Sequence, residues 1–162
     1  MKYSKVRKVK SPVRGTSKSA GIDFFIPSDF QKTVLLPSTD ILIPSGIKAK
    51  IPEGYMLFAA DKSGVVTSKQ AMINAKKQPK KDSFRSSLII GAKVIDEDYQ
   101  GEIHLHIINV GNRPVIIRPD MKIAQLILIP VYYDSLQEVP EEELFDTKSE
   151  RGDGSFNSTG RY

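Results

Sequence analysis

A chain of 162 residues, 40% apolar and 27% charged, has the length of one domain and enough apolar residues for an ordinary core. It has no cysteine, which excludes disulfides, thiolate zinc sites and a cysteine nucleophile, and its two histidines argue against a His-rich metal centre. The net charge of +5 is uneven: residues 1–20 carry seven cations and no acid, and residues 62–85 carry seven against Asp82, leaving −8 on the rest. Such clustering suits a polyanionic partner, nucleic acid or polyphosphate, or else a solvated basic surface. For the N-terminal cluster the solvated surface is favoured, because Tyr3 alone interleaves with the cations.

In chain order, the N-terminus is charged without an apolar run, unlike a secretory signal. Short alternating segments follow, such as Ile47, Ala49 and Ile51 between Lys48 and Lys50, separated by Pro/Gly/Ser turns. This pattern predicts an all-β sandwich or barrel without βαβ units. Tyr55 to Phe58 leads into Asp61-Lys62-Ser63-Gly64, where a cation, a hydroxyl and a glycine at a strand end suit a phosphate. A short helix is predicted near 68–75, and residues 70–86 read as a polar, basic surface insertion that a nucleic acid or a protein could engage.

Residues 91–103 read as a β-hairpin with Asp96, Glu97, Asp98 and Tyr99 at its tip: a water-activating carboxylate beside a ring, or a solvated turn. Ile103, Leu105 and Ile107 then alternate with His104 and His106, a surface pair rather than metal ligands. The longest apolar stretch, Ile123 to Tyr133, is broken by Gln125 and Pro130 and is too short to span a bilayer. One helical turn is predicted at 140–144. The domain is expected to end at residue 146, with 147–162 a flexible arm carrying Arg151, Phe156, Ser158 and Thr159, able to close over a ligand. A soluble, cytoplasmic protein is expected, in the host cytoplasm if viral.

Taken in order, five segments resemble the motifs of the trimeric dUTPase family: Ala20-Gly21-Ile22-Asp23-Phe24, Asp61 to Gly64, Gly91 to Glu102, Asp120-Met121-Lys122-Ile123-Ala124-Gln125-Leu126-Ile127, and Arg151 to Gly160. The resemblance implies a jelly-roll-like β-barrel with a flexible C-terminal arm, a homotrimer with sites at subunit interfaces, and Mg²⁺-dependent hydrolysis of dUTP to dUMP and pyrophosphate. By that resemblance Asp96 is the base for the attacking water. Gly91, Ile95, Tyr99 and Phe156 hold base and sugar. Lys62, Ser63, Gly64, Gln125, Arg151, Ser158 and Thr159 hold phosphates, and Asp23 supports them. Mg²⁺ is held mainly by the triphosphate and waters. Departures from the family pattern are Lys62 for Arg, Lys93 for Gly, Asp120-Met121 for a Gly-Asp turn, and Ser155 and Asn157 for glycines. Two other readings share the fold. A dCTP deaminase-like or bifunctional enzyme is suggested by Arg85-Ser86-Ser87-Leu88, but that family has Glu where His106 stands and Trp where Tyr99 stands. The other is a non-catalytic regulator that binds a partner through the insertion.

Overall fold

The computed structural model describes residues 1–63, 88–150 and 152. These divide into two compact units, Met1–Tyr132 and Tyr133–Tyr162. The first unit holds twelve described strands, and every described pairing is antiparallel.

The largest sheet has the order β2-β3-β12-β7-β9, built from Val13–Arg14, Gly21–Phe25, Lys122–Pro130, Tyr55–Asp61 and Val94–Ile95. A second has the order β5-β10-β8, from Asp40–Pro44, His104–Asn109 and Leu88–Ile90. Two ribbons complete it: β1 (Lys2–Lys5) with β6 (Ile47–Lys50), and β11 (Val115–Ile117) with β4 (Thr33–Leu35). The order, in which chain neighbours rarely pair, is jelly-roll-like.

The period-two reading holds where the sheets bury one face. Along β10 and the residue before it, Ile103, Leu105 and Ile107 are at most 1% exposed, while the two histidines point the other way. On β7, Leu57 and Ala59 face inward. Phe24, Ile26, Ile43, Ile117 and Leu126 join them in one core. Burying such side chains contributes about 1.5–3 kcal/mol each before the entropy of ordering is subtracted.

The second unit has little regular structure among its described residues. A single 3₁₀ turn at Glu141–Glu143 follows Pro140, matching the expected turn at 140–144. The helix expected near 68–75 and the insertion lie outside the described residues, as do Arg151 and residues 153–162 of the arm. Among the described residues no helix is long and apolar enough to cross a membrane.

Candidate active site

Strands β3, β12 and β7 lie side by side, and their register brings three sequence-distant segments to one end of the sheet. Gln125 on β12 stands opposite Asp23 on β3 and Ala60 on β7. Opposed residues share a face, so Asp23, Gln125 and the exit from β7 into Lys62 form one cluster. A bulge on β12 completes it. The register shifts between Lys122 and Ala124, so Lys122 opposes Phe25 and falls on the face of Asp23 and Gln125. Three residues apart on a regular strand, Lys122 and Gln125 would face opposite ways.

Asp23 is buried, and its two oxygens accept from two ammonium groups, Lys62 Nζ at 2.7 Å and Lys122 Nζ at 3.0 Å. Burial alone would raise its pKa. The two hydrogen bonds and the two positive charges outweigh burial and hold the carboxyl below its ordinary value of 3.8. Its contribution to stability is complete above the unfolded-state value and is lost as pH falls through the lowered native one. Asp23→Asn is expected to cost about 1–2 kcal/mol at neutral pH. This is below the ~3–5 kcal/mol of a fully buried pair, because both ammonium groups reach solvent. Urea unfolding of both proteins from pH 8 to 3 checks this. The gap should hold near neutrality and begin to narrow below about pH 4; a gap that does not narrow at all by pH 3 would mean packing, not charge, is responsible.

Gln125 is oriented by its surroundings. Its Nε2 donates to the carbonyl of Asp61 at 2.9 Å, and its second amide N–H has no partner among the described residues. Its side chain occupies the space that a Cβ on Gly21 would need, so the glycine is what lets the amide lie across β3. Asp61 in turn accepts from Ile90 N–H at 2.7 Å and fixes the start of the next segment. Ser63 follows Lys62 and is exposed, while Gly64 lies outside the described residues.

The segment 91–103 is not the simple hairpin expected from its sequence. Its root is paired, with Ile90 opposite Ile107 and Gly91 N–H donating to the His106 carbonyl. Beyond that the arms part. Val94 and Ile95 leave as β9 to pair with Phe58 and Leu57 of β7, while β10 pairs with β5. The physical reason is that both arms carry apolar residues needed by different sheets, so each ladder forms with its own neighbour. The result is a splayed loop whose two arms belong to different sheets.

At its tip, Tyr99 N–H closes a turn onto the Asp96 carbonyl at 3.2 Å. The three acids separate here. Glu97 accepts from Gly54 N–H at 2.6 Å and is a structural tie. The Asp96 and Asp98 side chains are exposed. Tyr99 folds back, its hydroxyl donating to the Glu102 carbonyl at 2.9 Å. The ring end sits where a Cβ on Gly101 would have to go. Glu102 itself accepts from Arg7 Nε at 2.9 Å and Gly46 N–H at 2.7 Å, anchoring the tip's far side.

The two clusters lie toward opposite ends of β7. Ile95 opposes Leu57, whereas Ala124 opposes Asp61. Four residues at ~3.3 Å each put about 13 Å between those levels, with Asp96 and Lys62 lying further out at either end.

The dUTPase family model matches residues 61–160. The deoxyuridine 5'-triphosphate nucleotidohydrolase of Chlamydia pneumoniae is 35% identical over 150 residues, covering 92% of this chain and 90% of its own. The chain belongs to the dUTPase family. The mouse deoxyuridine 5'-triphosphate nucleotidohydrolase is 30% identical over 151 residues, covering 93% of this chain and 78% of its own. A Staphylococcus bacteriophage 80alpha dUTPase, a G164S mutant solved with dUpNHpp, matches the fold with a TM-score of 0.75 at 24% identity, covering 98% of this chain and 97% of its own. These relatives are hydrolases, and this chain is an enzyme of the same class.

Against the dUTPase pattern, two departures are accommodated locally. Asp120 stands at a glycine position and adopts φ 62°, a left-handed conformation that Asp tolerates. Its carboxylate accepts from Ser28 Oγ at 3.0 Å. Lys93 lies 5.9 Å from the Phe58 ring centre, a cation–π contact on the outer side of β7. His106 donates to Asp40 at 2.8 Å and His104 sits by the Glu102 carbonyl, so the two histidines have separate partners. Sequence reasoning missed Lys122 and Gly101. Lys122 lies in the fourth of the five segments, three residues before Gln125, and that was the available signal.

Proposed function

We propose that this chain hydrolyses dUTP to dUMP and pyrophosphate, limiting uracil incorporation into DNA. The observation that carries this reading is the splayed loop over 91–103, with the Asp96 carboxylate exposed at its tip beside a Tyr99 ring locked over Gly101. Where the two arms part, main-chain groups around Gly91 and Ile95 would read the edge of a uracil. The Tyr99 ring suits the deoxyribose face and leaves little room for a 2′-hydroxyl. Asp96 takes a proton from water, the water oxygen bonds to the α-phosphorus, and the bond to the bridging oxygen breaks in line, releasing pyrophosphate. Lys62, Ser63, Gly64 and Gln125 hold phosphate oxygens. Arg151, Ser158, Thr159 and Phe156 of the arm close on the phosphates and the base.

Asp23 acts through the lysines. With both oxygens occupied, it serves as their anchor rather than as a direct metal ligand. That donor chemistry fits Mg²⁺ carried by the triphosphate and its waters, where it would supply further charge neutralisation.

The separation of Asp96 from the Lys62–Gln125 cluster along β7 supports a site shared between copies. One α-phosphorus cannot meet groups at both levels of one chain. A homotrimer in which one copy's loop meets another's cation cluster brings them together.

The test is pyrophosphate release with Mg²⁺ from dUTP, UTP, dTTP and dCTP. Release is expected from dUTP alone; equal release from UTP would defeat the reading. Gly101→Ala extends it. The added Cβ displaces the end of the Tyr99 ring, which can swing outward, so stability should fall by only about 1 kcal/mol. The dUTP/UTP discrimination should fall by about tenfold or more, on the scale of a lost packing contact in a specificity pocket. Unchanged discrimination would remove Tyr99 from the sugar site.

A further inference from the structure

Of the cations in residues 1–20, Arg7 alone has its ion pair at the tip of the 91–103 loop among the described residues. The pair joins segments 95 positions apart. Arg7 Nε donates to Glu102 Oε1 at 2.9 Å, and Gly46 N–H donates to the same oxygen at 2.7 Å. Gly46 adopts φ 75°, and a Cβ there would stand 3.2 Å from Arg7 Cβ, so the bare glycine lets the Arg7 stem lie close. Val6 N–H donates to the Gly46 carbonyl at 2.8 Å and holds the N-terminal segment against this turn. The Glu102 side chain is 16% exposed and that of Arg7 42%. An ion pair this open to solvent adds little to global stability, so its effect is local.

The main chain of Glu102 carries the other half of the arrangement. Its carbonyl oxygen accepts from the Tyr99 hydroxyl at 2.9 Å and lies 2.8 Å from His104 Nδ1. A carbonyl only accepts, so that nitrogen carries the hydrogen, and both lone pairs of the oxygen are in use. On the far side of the same peptide, Ile103 N–H donates to the Ile47 carbonyl at 2.9 Å. Glu102 therefore presents a fixed acceptor to the end of the Tyr99 ring, with its side chain moored by Arg7 and Gly46.

We infer that Arg7 is a positioning residue for sugar recognition: it fixes Glu102, and Glu102 latches the Tyr99 hydroxyl. The inference rests on the reading of Tyr99 as the deoxyribose contact. Arg7 touches neither the substrate nor the reacting atoms. Without it the Glu102 carboxylate keeps one donor of two, and the ring is freer to leave the position that crowds a 2′-hydroxyl. The chemistry at Asp96 is left intact.

The experiment compares kcat/KM for dUTP and for UTP, the latter at high enzyme concentration. The variants are Arg7→Ala, Arg7→Lys, Lys8→Ala, Tyr99→Phe and Arg7→Ala/Tyr99→Phe. Arg7→Ala should lower the dUTP/UTP ratio about fivefold, the scale of a contact that acts through its neighbour. The change should lie in a higher KM for dUTP, with kcat within about twofold of native. Arg7→Lys should recover most of the ratio, because the bond is a single one from Nε and an ammonium can replace it. Lys8→Ala removes a neighbouring charge and should match the native chain. Tyr99→Phe breaks the latch itself and should lower the ratio by a similar factor. Arg7 then has nothing to transmit, so the double variant should lie less than about twofold below Tyr99→Phe. The thermal midpoint of Arg7→Ala should stay within about 3 °C of native. A native ratio in Arg7→Ala, an equal loss in Lys8→Ala, or losses that multiply in the double variant would overturn the inference. Gly101→Ala separates the two readings. If it lowers the ratio and Arg7→Ala does not, Tyr99 stays at the sugar and the inference alone fails. If neither lowers it, the sugar reading falls and the inference with it.

Discussion

Replacing Asp96 with Asn is expected to lower pyrophosphate release from dUTP by ~10²–10⁴-fold, the range a positioned general base supplies. The carboxamide keeps the shape and loses only the capacity to take a proton. Asp96 is exposed and its side chain ties no other element among the described residues, so the unfolding free energy should match that of the native chain within ~0.5 kcal/mol. Binding of a non-hydrolysable dUTP analogue should survive, which separates lost chemistry from a lost site. The neighbouring acids supply the control. Asp98→Asn should leave hydrolysis near native, whereas Glu97→Gln should act through stability, because Glu97 holds the Gly54 amide. Native turnover in Asp96→Asn would end the proposed mechanism.

The second expectation concerns where the site is. Lys62→Ala and Asp96→Asn should each be nearly inactive alone. Co-expressed in equal amounts, they should recover about a quarter of native activity per site, if random assembly pairs loops and cation clusters from different copies. A shared site needs an intact loop from one chain and an intact lysine from its neighbour, and half of each is available. If both groups belonged to the same chain, every site would carry a lesion and mixing would recover nothing. The basis is geometric. β9 joins β7 at Leu57 and Phe58, whereas β12 meets it at Asp61. A single straight strand cannot bring its two ends to one phosphorus atom.

Much of the fold was legible because period-two burial is a local property. Ile103, Leu105 and Ile107 alternate with two histidines, and the sheet keeps that alternation. The same holds for the strand end at Asp61 and the turn after Pro140. The loop over 91–103 was legible as chemistry but not as shape. Its composition suits a hairpin, and only competition between neighbouring strands decides that Val94 and Ile95 pair with β7.

The sequence alone determined an antiparallel β protein without cysteine chemistry, and it named the carboxylates, hydroxyls and cations from which a phosphate site could be drawn. Turn residues and alternation carry that information within a few residues of chain. The tertiary structure decided which of them meet. It ranked Asp96 apart from Glu97 by giving Glu97 a backbone partner. It turned Lys122 onto the face of Gln125 through one bulged residue. It also assembled Lys2 with Lys48 and Lys50 across more than forty positions of sequence. Each is a matter of strand register. Register is fixed by which apolar faces must be buried together, which no local stretch of the chain contains.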